Sequence, residues 1–348
     1  MSTIEDTLTV MVDPIVGDAP EPVEIPRRVG FVKLGELLGQ GASGAVFSGF
    51  DEALNRRVAV KVLCRYRGAL RSADRVRVVD GVRSAARVKH ANITAIHTVD
   101  LVGEIPFIVM EFVEGVTLRE LLLRSGALDA GLVLNLMQTL TGAVAALHDA
   151  QVVHRDLKPA NVLIDPAGQV HVCDLGLACD FSLAHFAQGT DTIAGSPLYM
   201  APEMFDGYVS PQSDVYALGV MMYEMLTGRP PFKIDSMDQA RAAHQTQPPD
   251  LSLLHQLRLS EALTECVERA LNKQRIMRYK SAGHMLRALE TAPETSPATD
   301  ALRRRVVDLV LACRASTAAT PQIQTQTPGP ENTYDLLARR AQQKRSGR

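Results

Sequence analysis

Cysteine is scarce in this chain of 348 residues. The five that occur, Cys64, Cys173, Cys179, Cys266 and Cys313, are odd in number, and none forms a C-x-x-C pair or stands beside histidines at metal-ligand spacing. No disulfide framework can be read from them, which points to a reducing compartment. Basic residues are missing from the first 26 positions, where six acids lie (Glu5, Asp6, Asp13, Asp18, Glu21, Glu24), while the far end of the chain is basic. Such asymmetry marks tails rather than core. No signal peptide opens the chain, and the apolar stretch at 306–313 is broken by Asp308 and far too short to span a bilayer. A net charge of −2 gives no reason to expect a polyanion-binding surface, so nucleic acid is not an expected partner. The expectation is a cytoplasmic protein without a membrane span.

What is present reads as an ordinary globular chain, with 46% hydrophobic and 22% charged residues. Residues 1–29 carry Pro14, Pro20, Pro22 and Pro26 among acids and small residues, the composition of a disordered arm. From Phe31 the runs "FVKLGELLG", "GAVFSGF" and "RRVAVKVL" predict three antiparallel strands. A helix over 72–89 follows, then strand-like "ITAIHTVDLV" and "PFIVMEFV". Beyond Gly115 the pattern turns helical, most clearly in "LVLNLMQTLTGAVAALHDA", with further helices near 213–227 and 260–290. The fold class is therefore α+β, a small sheet joined to a helical bundle. Residues 291–335 read as Pro/Thr/Gln-rich linkers around a short helix at 301–313, and "LLARRAQQKRSGR" as a solvated basic tail.

Three stretches carry chemistry. Gly39, Gly41 and Gly44 in "GQGASGAV" let backbone N–H groups approach phosphate oxygens with no Cβ in the way. This loop lies between two strands rather than between strand and helix, which disfavours a dinucleotide fold. Lys61 in "VAVK" shares a strand face with Ala59 and Leu63, where a lone cation is costly unless it meets an anion. In "QVVHRDLKPANVLI", apolar pairs flank a polar block, as in two buried strands joined by a loop. Asn161 and Asp174 suit a hard Mg2+ ion that also binds phosphates, Asp156 could accept a hydroxyl proton, and Lys158 could neutralise a transferring phosphate.

With these residues in place, the sequence resembles eukaryotic-type (Hanks-type) serine/threonine protein kinases, with a bacterial flavour. The resemblance covers about 30–290 and rests on "GQGASGAV", "VAVK", "HANI", "IVMEFVEG", "HRDLKPAN", "DLG", "GSPLYMAPE", "SDVYALG" and "RYKSA" in that order. It implies a two-lobed fold, the smaller lobe at about 30–113 and the larger at about 114–290, with residues 291–348 beyond. ATP and Mg2+ would occupy the cleft. The glycines would cover the phosphates, and Lys61 would pair with them. Leu38, Val46, Ala59 and Leu163 would line the nucleotide pocket, with Met110 as gatekeeper before the hinge from Glu111 to Val113. Asp156 would be the catalytic base or orienter, Lys158 would contact the γ-phosphate, and Asn161 and Asp174 would hold Mg2+. Glu203 and Arg278 would form a buried ion pair, and Asp214 would anchor the catalytic loop. Protein substrates carrying Ser or Thr are implied, with a dimer as the route to trans-autophosphorylation.

One family feature is missing. Counting back nine residues from His90, where the family places a helical glutamate that pairs with the strand lysine, reaches Gly81. Neighbouring Asp80 points about 100° away and is one methylene shorter, and Gly81 weakens the helix by roughly 1 kcal/mol relative to alanine. Two readings follow: an active kinase whose Lys61 is held by Asp80, Asp174 or ATP, or a pseudokinase-like nucleotide-binding or scaffolding module. Arg155 implies switching by phosphorylation at Ser182, Thr190 or Thr192, whereas Ser196 reads as a substrate-loop contact with Asp156 and Lys158. Leu175 replaces the usual Phe as an apolar knob, and Cys173 reads as a small buried hydrophobe.

Overall fold

The computed structural model describes residues 7–12, 21–41, 44–63, 72–102, 105–177, 179–180, 196–234 and 236–294, and beyond them 304, 307–308 and 310–312. Strands β1 (Thr7–Val12) and β2 (Glu21–Pro26) form an antiparallel hairpin. Strands β3 (Arg28–Val29), β4 (Val32–Gly41), β5 (Gly44–Asp51), β6 (Arg56–Val62), β7 (Ile96–Val102) and β8 (Ile105–Glu111) form a six-stranded sheet in the order β3-β4-β5-β6-β8-β7. Every neighbouring pair is antiparallel.

In β6 both alternating sets are buried: Val58, Val60 and Val62 on one face, Ala59 and Lys61 on the other. A strand buried on both faces needs a cover on each. Helix α1 (Ser72–Ala86) supplies one, packing Val82 against Leu63 and Ile108. Strand β2 supplies the other, where Val23 and Ile25 join Leu34, Phe47, Val58 and Val60. This corrects the expectation of an unstructured arm over residues 1–29. In "EPVEIP" the prolines sit beside a period-two stripe in which Val23 and Ile25 are buried and Glu24 is exposed, a pattern that average composition conceals. Residues 1–6 and 13–20 lie outside the described residues.

The second half is helical. After β9 (Val116–Thr117), helix α2 (Leu118–Ser125) starts with a capping box: Glu120 N donates to Thr117 Oγ1 at 3.1 Å, and Thr117 N donates to Glu120 Oε2 at 2.7 Å. Helix α3 (Ala130–Asp149) starts at Asp129, whose Oδ1 accepts from Leu132 N at 2.9 Å. It is long and apolar enough to cross a membrane by length and composition, yet Leu132, Met137, Leu140, Val144 and Leu147 are buried in the helical core. Strands β10 (Val152–Val153), β11 (Val162–Ile164), β12 (Val170–Val172) and β13 (Cys179–Asp180) follow. Helix α4 (Pro211–Thr227) is buried on all sides from Ser213 to Leu226, as a helix through the middle of a large core must be. Helices α5 (Met237–Gln245), α6 (Ser252–His255), α7 (Glu261–Ala270) and α8 (Ala282–Leu289) surround it, with α3 packed on both α4 and α8. The described positions among 304–312 are helical, and Val310 is fully buried in the same core. The folded unit thus extends past 290, the limit expected from the sequence.

Candidate active site

The polar block between β10 and β11 is a loop held in an unusual shape. Arg155 has φ +72° and, further on, Asp174 has φ +67°; a non-glycine residue in that region costs on the order of 1 kcal/mol or more. Asp214, in the first turn of α4, opposes this cost at Arg155. Its Oδ2 accepts from His154 N at 2.8 Å and its Oδ1 from Arg155 N at 3.0 Å. His148 of α3 donates from Nε2 to the same Oδ2 at 2.9 Å, while its Nδ1 accepts from Ala282 N at 3.1 Å, which fixes the donating nitrogen. Burial pushes the Asp214 carboxyl up, and the His148 hydrogen bond and charge more than reverse it, so the group sits below its ordinary range.

A second set of bonds brings Asp174 to this loop. His154 Nε2 meets Cys173 O at 3.0 Å, with Nδ1 accepting from Asp156 N at 3.3 Å, and Cys173 N donates to Asn161 O at 3.0 Å. Burial, reinforced by the Asp174 charge, pushes the Cys173 thiol up to about 12, so it stays a thiol.

Asp156 is 5% exposed and its carboxylate is the centre of the loop. Oδ2 accepts from Lys158 Nζ at 2.7 Å and Asn161 Nδ2 at 3.0 Å; Oδ1 accepts from Ser196 N and Ser196 Oγ, each at 3.0 Å. Lys158 Nζ also donates to Ser196 Oγ at 2.6 Å. The remaining Asn161 N–H goes to Asp156 O at 2.7 Å, so both amide hydrogens are used and the amide oxygen remains for a cation.

Lys61 approaches from the sheet. It is 2% exposed, lies opposite Val46 on β5 and Ile108 on β8, and forms an ion pair with Asp174 Oδ1. Asp80 is exposed and pairs instead with Arg83 at 3.3 Å, so of the two acids weighed from sequence Asp174 is the partner. Burial would raise the Asp174 carboxyl, but the Lys61 charge and hydrogen bond hold it below its ordinary range. Around this pair Thr94, Ile96, Ile108, Met110, Leu175 and Gly176 line a cavity. Among the described residues no cluster of three or more His, Cys, Asp or Glu could hold a metal by itself. The amide and carboxylate oxygens of Asn161 and Asp174 are of the donor type that an Mg2+ ion takes, and such an ion would need its other oxygens from phosphate and water.

Of the other expected site residues, Met110 faces Ala59 across β6 and β8, Gly39 lies opposite Val46, and Gly41 opposite Gly44 in the hairpin. Leu38 and Glu111 are exposed, and Val113 and Leu163 are half-buried. Arg278 forks onto Glu203 through two bonds of 2.9 Å. Thr190, Thr192 and Ser182 lie outside the described residues. His148 was not singled out from sequence, because a histidine on an apolar helix reads as core; the loop-ordering role of His154 was equally hidden within its motif.

A family model described as protein kinase domain matches residues 32–288. Serine/threonine-protein kinase PknL of Mycobacterium tuberculosis is 39% identical over 201 residues, 57% of this chain and 50% of that protein. Serine/threonine-protein kinase PrkC of Bacillus subtilis is 33% identical over 271 residues, covering 77% and 41%. Serine/threonine-protein kinase PknA of Mycobacterium tuberculosis is 35% identical over 261 residues, covering 73% and 59%. The chain spans about half the length of the curated relatives it matches.

Proposed function

The chain belongs to the protein kinase family, and from that membership we propose that it is a serine/threonine kinase transferring the γ-phosphate of ATP to hydroxyls of protein substrates. The observation that carries this reading is the Ser196 hydroxyl, lodged between Asp156 Oδ1 at 3.0 Å and Lys158 Nζ at 2.6 Å. A substrate hydroxyl in that place would donate to a carboxylate and lie beside a cation. Asp156 orients it and accepts its proton as the oxygen attacks phosphorus, and Lys158 stabilises the charge on the moving phosphoryl group. Lys61 holds the α- and β-phosphates under the glycine hairpin. Asn161 and Asp174 would hold Mg2+, which would supply charge neutralisation for the phosphates. Asp174, kept ionised beside Lys61, is ready to serve as that ligand.

Arg155 has a buried Nε with no partner among the described residues. That accords with pairing to a phosphate on Thr190 or Thr192; our reading further places one copy phosphorylating another in a transient dimer in the cytoplasm. The test is incorporation of labelled γ-phosphate into a basic protein substrate. Asp156→Asn, which keeps the shape and removes the base, should lower the rate by about 10²–10⁴-fold. Equal rates for the two proteins would leave only a nucleotide-binding module.

A further inference from the structure

His244, at the end of α5, belongs to none of the kinase motifs, yet it is fully buried. Its ring stacks on Phe205 at 6.0 Å and meets Phe232 edge-on at 5.0 Å. Nδ1 and Tyr216 OH share a hydrogen bond of 2.9 Å, and since that hydroxyl already accepts from Lys273 Nζ at 3.4 Å and the other side of the ring faces only carbonyls, we assign the hydroxyl as donor and Nδ1 as acceptor. Burial, helped by the Lys273 charge, pushes the imidazole down to about 3, so at neutral pH the ring carries one proton, and that proton is on Nε2. The carbonyls of Pro197 and Leu198 act on the ring from nearby. Neither is aligned into a proper hydrogen bond, so Nε2 is buried without a partner among the described residues. A buried N–H left unpaired is costly, and a native fold that keeps one invites a functional reason.

Those carbonyls follow directly on Ser196, the residue whose hydroxyl stands between Asp156 and Lys158. An incoming hydroxyl must displace it, and because Ser196 N also donates to Asp156 Oδ1 at 3.0 Å, the backbone leading into the turn Pro197–Tyr199 is tied to the same carboxylate. Tyr216 ties the far end of the same segment. Its ring lies 4.7 Å beneath the Arg278 guanidinium, which grips Glu203. Tyr216 on the buried α4 therefore holds one end of the segment 196–203 through Arg278 and holds His244 beside the other end, where the last bond is still unmade.

We propose that His244 is a positioning residue for the protein substrate: its Nε2–H completes a hydrogen bond to the Pro197 or Leu198 carbonyl when a substrate segment displaces the Ser196 hydroxyl. The proposal rests on the phosphotransfer reading. It assigns the bond to the protein-substrate complex and leaves ATP binding untouched.

The full chain is assayed with myelin basic protein and ATP varied separately, in the wild type, His244→Phe and His244→Gln. Phenylalanine keeps the stacking on Phe205 but has no donor; glutamine places an amide N–H near the Nε2 position. His244→Phe should raise KM for the protein substrate about three- to tenfold, the worth of one hydrogen bond, with KM for ATP unchanged. His244→Gln should return that KM to within about twofold of wild type, even where its thermal midpoint is the lower of the two. Equal protein KM values in all three, or a parallel rise in the KM for ATP, would overturn the proposal. Wild-type transfer is the control: its absence would defeat the phosphotransfer reading, and its presence with unchanged variants would defeat this inference alone.

Discussion

A Cβ at Gly44 would stand 2.0 Å from the Val62 carbonyl oxygen, with φ at +144°, whereas one at Gly39 would meet no atom within 4 Å. The two glycines of one motif thus answer to different needs, the first to the chain itself and the second to what lies beyond it. Gly44→Ala is expected to lower stability by more than about 2 kcal/mol, since both the backbone and the neighbouring strand must shift. Gly39→Ala should stay within about 0.5 kcal/mol of wild type but raise KM for ATP, because its new methyl would intrude on the phosphates. Thermal unfolding combined with initial rates separates the two effects. At this scale the sequence pointed to Lys61, Asp156, Lys158, Asn161 and Asp174, and the fold brings Lys61 against Asp174 and both Lys158 and Asn161 against Asp156. His148 and His244 were not legible, because their partners are far along the chain and no local spacing announces them.

Elements meet at Asp214 of α4, whose buried carboxylate accepts from His148 of α3 and from the loop at His154 and Arg155, while the N-terminus of α8 joins through its bond to His148. Its carboxyl lies below its ordinary range in the folded state. A depressed carboxyl contributes stability above the unfolded value of about 3.9, and that contribution disappears as pH falls through the folded value. Asp214→Asn should therefore be less stable than wild type at pH 7, with the difference shrinking as pH falls below about 4. Urea unfolding at pH 7 and pH 3 checks the convergence. A difference that does not shrink would mean that the carboxylate charge is not what holds these elements. The helices themselves were readable from their apolar period. The strain at Arg155 was not, because φ is set by the tertiary bonds from Asp214.

On the scale of the whole molecule, the sheet is closed on one face by α1 and on the other by the β1–β2 hairpin. The division into a small sheet and a helical bundle was evident in the change of period near Gly115, and the two lobes followed from the family resemblance, but the hairpin was hidden by proline and acid content. Deleting residues 1–26 removes Val23 and Ile25 from the sheet and should cost about 3 kcal/mol or more, at about 1.5–3 kcal/mol for each apolar side chain. The face uncovered, with Phe47, Val58 and Val60, should also promote self-association. Thermal unfolding and light scattering would show both effects; a monomer as stable as the full chain would mean that the hairpin covers nothing of consequence.

The proposed function requires Lys61 from the sheet and Asn161 with Asp174 from the helical half to converge on one magnesium-bound triphosphate. Calorimetric titration of ATP, with Mg2+ and with chelator, tests that most directly across wild type, Lys61→Met and Asn161→Ala. Wild type should bind at least about tenfold more tightly with Mg2+, a difference of about 1.4 kcal/mol. Lys61→Met should weaken binding under both conditions, and Asn161→Ala should erase only the gain from Mg2+. Equal affinity with and without the metal in wild type, or an Asn161→Ala protein that keeps the full gain, would contradict the account.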